Sequence, residues 1–168
     1  GIYLQEQLSY QKWRLLLGLR KEIYEAGEGE EADSLDEDET SVFLPRVGIV
    51  YSLTANTSLF ATYNKGFDPF EASTSTQIFK DPFKPVTSEL FEAGIKSALF
   101  DNKMSASISL YQLTLHHVAV NANDISNPNL YLQQGEDRSR GLEAEVAGNI
   151  LDNLSISASY SHCIAKVV

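Results

Sequence analysis

Hydrophobic and polar positions alternate along most of this chain with the period of two that marks a strand facing two different environments. Trp13, Leu15, Leu17 and Leu19 interleave with Arg14, Leu16, Gly18 and Arg20. Phe91, Ala93, Ile95, Ser97 and Leu99 interleave with Glu92, Gly94, Lys96 and Ala98, and Met104, Ala106, Ile108 and Leu110 with Ser105, Ser107, Ser109 and Tyr111. Leu154, Ile156, Ala158 and Tyr160 alternate with four serines, Ser155, Ser157, Ser159 and Ser161. Each run extends over about 9–12 residues, where soluble strands average about 5–6. The small and β-branched residues suit a pleated surface, and no helical stripe of similar length competes.

Turn chemistry adds a second, longer period. Short polar breaks fall at Tyr10-Gln11-Lys12, Thr54-Ala55-Asn56-Thr57, Asp101-Asn102-Lys103 and Asp152-Asn153; measured between residues 11, 55, 102 and 152, they are spaced by 44, 47 and 50. Between them lie long connections at Glu25–Ser41, Phe67–Thr87 and about Asn121–Asn129. Tight turns therefore alternate with long loops, two strands to a repeat, and all the tight turns belong at one end of the sheet. A sandwich predicts turns about every 8–12 residues, and a propeller blade puts four strands into a similar repeat. Outer-membrane barrels have strands of about 10 residues, short periplasmic turns and long extracellular loops. A closed meander also pairs every backbone group inside the hydrocarbon.

The predicted fold is therefore all-β, an antiparallel up-and-down transmembrane β-barrel, with about eight consecutive strands visible. Its apolar face meets lipid, and Arg14, Arg20, Arg46, Glu92, Lys96, Glu143, Glu145 and the four serines line a wet lumen. Trp13, Tyr51, Tyr63 and Tyr160 fall near predicted strand ends, where aromatic girdles belong. Two alternatives stay open on the residues alone: a passive porin or small barrel, and a soluble β-sandwich binding module.

Composition narrows the field. The chain has 168 residues, 43% of them hydrophobic and 21% charged, which fits neither disorder nor a helical membrane bundle. No apolar run approaches the about 20 residues of a spanning helix. Its net charge of −10 and lack of a basic cluster disfavour a nucleic-acid partner. Ten acids and one base lie between Lys21 and Glu39, so this window carries −9 and the rest of the chain is nearly neutral. Such a run reads as a solvated loop; a calcium loop is the minor reading, because the EF-hand spacing with its central Gly is absent. Cys163 is the single cysteine, which leaves no internal disulfide and no cysteine zinc site.

Several strings resemble those of TonB-dependent siderophore receptors of the ferrichrome type. Gly1-Ile2-Tyr3-Leu4-Gln5-Glu6-Gln7 is similar to that family's G-aliphatic-Y-x-Q-acid-Q strand, and Leu44-Pro45-Arg46-Val47-Gly48-Ile49-Val50-Tyr51 to its PR-x-G-x-x-Y strand. The latter is followed, as in the family, by a short turn and Leu59-Phe60-Ala61-Thr62-Tyr63-Asn64-Lys65-Gly66-Phe67. Glu92-Ala93-Gly94-Ile95-Lys96 resembles its E-x-G-x-K strand, and Gly135-Glu136-Asp137-Arg138-Ser139-Arg140-Gly141-Leu142-Glu143 its G-x-x-R-S-x-G-x-E element. The resemblance implies a 22-stranded barrel in the outer membrane of a Gram-negative cell, plugged by an N-terminal domain. It further implies import of a ferric siderophore using energy from TonB, with the iron arriving already chelated and no cofactor held. Residues 1–168 are then expected to be an internal piece of the barrel domain, without the plug or the barrel ends.

Candidate sites follow. No nucleophile elbow or paired-carboxylate motif appears, so no catalytic residue and no enzyme is expected. His116 and His117 are adjacent and point to opposite faces of a strand, which argues against joint metal ligation. Phe67, Phe70, Phe79 and Phe83 punctuate a proline-stiffened loop and are the ligand-binding candidates, with intraloop packing as the plainer explanation. Arg138, Arg140, Glu143 and Glu145 are candidate plug-facing lumen residues that would pair as ions, against a plain solvated wall. Gly48, Gly94 and Gly141 lie inside strand runs, where a missing side chain permits close approach or a bulge. The expected partners are the ferric siderophore, TonB through the plug, and outer-membrane lipid; the acidic loop would either repel anions or bind divalent cations bridging the surface glycolipid.

Overall fold

A computed structural model describes residues 1–25, 39–68, 85–126, 128, 131–133, 135–151 and 153–168. Its elements are all strands: β1 (Ile2–Tyr10), β2 (Trp13–Glu25), β3 (Glu39–Ser52), β4 (Thr57–Asp68), β5 (Val86–Leu99), β6 (Met104–His116), β7 (Ala119–Asn121), β8 (Tyr131–Gln133), β9 (Glu136–Leu151) and β10 (Leu154–Val167). Eight form one antiparallel sheet in the order β1-β2-β3-β4-β5-β6-β9-β10, and β7 pairs with β8 in a separate small hairpin. Consecutive long strands are neighbours throughout, as an up-and-down wall requires. The wall is open, with β1 and β10 at its edges.

The tight turns all lie at one end, and local chemistry is visible in three of them. Gln11 takes φ 52°, and Phe100, Asp101 and Asn102 take φ 52°, 53° and 67°, the left-handed values that reverse a chain within a few residues. In the turn before β4, the Thr54 hydroxyl accepts hydrogen bonds from the Asn56 and Thr57 amides at 3.2 and 3.0 Å. Neighbouring turns are also stitched together. The amides of Ser52, Ala98 and Asn149 donate to the carbonyls of Lys12, Asn56 and Lys103 at 2.9, 2.7 and 2.8 Å.

Strand lengths fit a membrane wall that projects beyond the bilayer. At about 3.3 Å per residue, a 14-residue strand such as β5 is about 46 Å long. Crossing an apolar band of about 25 Å at a tilt of about 40° takes about 10 residues. The strands therefore run on past the lipid at the long-loop end.

The wall has no sealed interior. Val86 is the only buried apolar side chain among the described residues, whereas Leu17, Ile108 and Ile156 are 41, 52 and 40% exposed. A two-layer sandwich would bury these side chains against a second sheet, so the sandwich alternative does not survive.

Candidate functional site: a two-faced wall with a polar rim

The pairing register fixes the two faces, because directly paired residues point the same way. One face carries Leu8, Leu15, Ile49, Leu59, Ile95 and Ile108, with Ala144 and Tyr160 continuing the Ile108 row onto β9 and β10. The opposite face carries Arg14, Arg20, Arg46, Glu92, Lys96, Glu143, Glu145 and the β10 serines, the set expected to line the lumen. On this polar face Arg20 grips Glu22 with two hydrogen bonds of 2.7 and 2.8 Å. Its arginines Arg14, Arg20 and Arg46 are on β2 and β3, Glu143 and Glu145 are on β9, and β5 carries both Glu92 and Lys96.

Glycines on the polar face make room for rings. Gly94 lies opposite Phe60, and Gly141 opposite Tyr111. A Cβ on Gly141 would stand 2.6 Å from the Tyr111 ring. The Tyr111 hydroxyl reaches on across β9 to the Cys163 thiol. Gly94 and Gly141 thus serve the close approach expected of them, whereas a Cβ on Gly48 would meet only ordinary contacts, the nearest at 3.6 Å.

The aromatic girdle is narrower than expected. Tyr10 pairs with Trp13, and the Trp13 ring lies 4.5 Å from that of Tyr51, all close to the tight turns. Tyr63 and Tyr160 are not at strand ends. Each is the seventh residue of its strand, β4 and β10, and β10 runs on to Val167, beyond the alternation read from Leu154 to Ser161. Tyr63 instead packs against Phe91 on the apolar face, with ring centroids 4.7 Å apart.

The four charged lumen candidates are divided between the faces. Glu143 and Glu145 are on the polar face, opposite Ser109 and Ser107. Arg138 and Arg140 are on the other, in line with Leu142 and Ala144. They make no ion pair with Glu143 or Glu145, since an odd separation along a strand reverses the side chain. Arg138 pairs with Glu136 at 3.4 Å, His116 Nδ1 approaches the other Glu136 oxygen at 3.0 Å, and Arg140 Nε donates to Gln112 at 2.8 Å. These residues form a polar rim on the outer face. Arg140 and Lys166 are each 13 residues from Asn153 at the tight turn, beyond the about 10 needed to cross the apolar band.

Phe67, the penultimate residue of β4, is on the apolar face, opposite Thr87 and in line with Tyr63. Phe70, Phe79 and Phe83, and most of the acidic loop, lie outside the described residues. Among the described residues, no three His, Cys, Asp or Glu side chains gather as metal ligands would. His117, with φ 62°, turns the chain out of β6, and its ring centroid is 6.5 Å from that of His116.

Sequence reasoning missed the β7–β8 hairpin. The Asn121 side chain donates to the Pro128 carbonyl at 2.8 Å and accepts from the Asn123 amide at 2.7 Å. The Asp124 carboxylate accepts from the Ser126 amide, and Gln133 donates to the His117 carbonyl at 3.0 Å. The signal was available in Asn121-Ala122-Asn123-Asp124, a dense set of side chains that hold turns by bonding to nearby backbone.

The sequence profile of the family described as TonB dependent receptor-like, beta-barrel matches residues 1–167. The chain belongs to this family. It is 28% identical over 175 residues to the metal-pseudopaline receptor of Pseudomonas aeruginosa, covering 99% of this chain and 24% of that protein. It is 29% identical over 163 residues to the ferrioxamine receptor of Yersinia enterocolitica, covering 96% and 22%. The chain thus spans about a quarter of the length of these curated relatives. Among solved structures, the ferripyoverdine receptor of the Pseudomonas aeruginosa outer membrane superposes with a TM-score of 0.77 at 23% identity, over 98% of this chain and 22% of that one. The alcaligin outer-membrane receptor of Bordetella pertussis gives 0.70 at 22% identity, over 98% and 29%. These likenesses establish the fold. The described sheet is eight adjacent strands of a TonB-dependent receptor barrel, a wall in the outer membrane, with its apolar face to the lipid. The family is one of receptors rather than enzymes.

Proposed function

We propose that the chain forms wall and extracellular loops of a receptor that imports a ferric siderophore, driven by TonB acting on a plug domain inside the barrel. The observation that carries this reading is the polar inner face of a wall matched along its length by the receptor-barrel profile. A passive porin needs only a wet lumen, and no observation favours it. The named relatives are receptors for different compounds: one is a metal-pseudopaline receptor and another a ferrioxamine receptor. Their shared scaffold supports chelated metal as the substrate class, with the individual chelate chosen by the loops.

In this reading the inner face is the seat of the plug. Glu143 and Glu145 on one side and Arg14 and Arg46 on the other offer charged hydrogen bonds to a plug of matching pattern. Phe67 stands at the base of the aromatic loop on the outward side, and Phe70, Phe79 and Phe83 are the loop residues proposed to touch ligand. Uptake of radioiron chelates by iron-starved cells tests the function. Deleting the gene, or removing TonB, should abolish uptake of at least one ferric siderophore. Undiminished uptake without TonB, together with free passage of unrelated small solutes, would mark a porin instead.

A further inference from the structure

The β7–β8 hairpin is joined to the wall without being part of its sheet. Its strands have three residues each and, among the described residues, pair only with each other. A two-stranded hairpin by itself is marginal in water, so its pose depends on bonds made elsewhere. The Asn121 and Asp124 side chains shape the turn at the tip, where Ile125 is 97% exposed. Those bonds stay within the hairpin and leave its angle to the wall open.

The angle is set at the neck. The chain leaves the sheet at His116, the last residue of β6, and returns at Glu136, the first of β9, and these two residues are directly paired. The Glu136 backbone is fixed from the other side too, because its carbonyl accepts from the Val168 amide at 2.8 Å. From this anchored position the carboxylate closes the neck, with one oxygen 3.0 Å from His116 Nδ1 and the other 3.4 Å from Arg138. One residue further out, His117 turns the chain with φ 62°, and its carbonyl accepts from Gln133 at the end of β8. A non-glycine residue in this region is held there by its surroundings. We infer that Glu136 is the clasp of a jointed arm: its carboxylate fixes the pose of the β7–β8 hairpin, and releasing it frees the hairpin while the wall stays folded. The wall below keeps the whole β6–β9 ladder, from Met104 opposite Gly148 up to His116 opposite Glu136, and the hairpin has no such ladder to the wall. Solvent-exposed ion pairs are weak, so the clasp opens by local fluctuation and its loss changes the arm several-fold. The inference is independent of which chelate, if any, is imported.

Hydrogen–deuterium exchange of the intact receptor in lipid nanodiscs, at one fixed pH, reads such local opening directly. Glu136→Ala should speed amide exchange at residues 119–121 and 131–133 at least threefold. Exchange across residues 106–112 of β6, and the urea midpoint of the barrel, should stay as they are. Glu136→Gln, which keeps an acceptor oxygen for His116 or Arg138, should restore most of the protection. Should Glu136→Ala fail to fold, His116→Ala, which removes one of the two partners, should speed the same amides at least twofold. Unchanged hairpin exchange in the folded variants overturns the clasp. Protection lost equally down β6 also overturns it, since Glu136 would then be an ordinary brace of the sheet.

Discussion

The Tyr111 ring lies across Gly141, its direct partner on the neighbouring strand, so closely that the glycine has no room for a Cβ. The ring takes the place of a side chain on the polar face and bridges β6, β9 and β10 in one row. Gly141→Ala sets a methyl 2.6 Å from both the ring and the His162 carbonyl, and overpacking of this kind costs about 1–3 kcal/mol. Urea unfolding of the receptor in lipid vesicles should show this loss, while Gly48→Ala, with its nearest contact at 3.6 Å, should change stability by less than about 0.5 kcal/mol.

The two faces should respond oppositely to added charge. Ile108 and Ser107 are adjacent in β6 and face lipid and lumen respectively. Ile108→Lys should destabilise the folded barrel by about 2–4 kcal/mol, the cost of a lysine near the midplane on a lipid face. Ser107→Lys should cost less, because its side chain joins the polar inner face opposite Glu145. The same vesicle titration, run on both variants, compares them.

One residue violates the pattern. Glu6 shares the lipid-facing side of β1 with Leu4 and Leu8, opposite Leu17. Intramembrane acids are costly to desolvate, although less so than lysine or arginine. Glu6→Leu should therefore raise the urea midpoint of the barrel. A lower midpoint would mean that Glu6 has a partner on the strand bordering β1.

The faces of the wall were legible in the sequence because alternation has a period of two and the strands are long. Leu15, Ile108 and Tyr160 fell on the lipid side, and Arg46, Glu92 and Lys96 on the other, as the pattern required. Grouping Arg138 and Arg140 with Glu143 and Glu145 weighed charge above parity. Parity alone would have placed the arginines on the outer rim. The girdle was overextended for a different reason: apolar alternation stops where lipid stops, whereas backbone pairing continues, so strand ends cannot be read from hydrophobicity. The β7–β8 hairpin was hidden because its strands have three residues each, too short to show a period.

The most direct test of the account is the reagent accessibility of single cysteines along β6, placed at each position from Ser105 to Tyr111 in a Cys163→Ser background of the intact receptor in lipid bilayers. Positions 106, 108 and 110 should react with a membrane-dissolved probe and resist a charged thiol reagent, with positions 105, 107 and 109 showing the reverse. Uniform accessibility, or alternation of the opposite phase, would contradict a wall whose apolar side faces acyl chains.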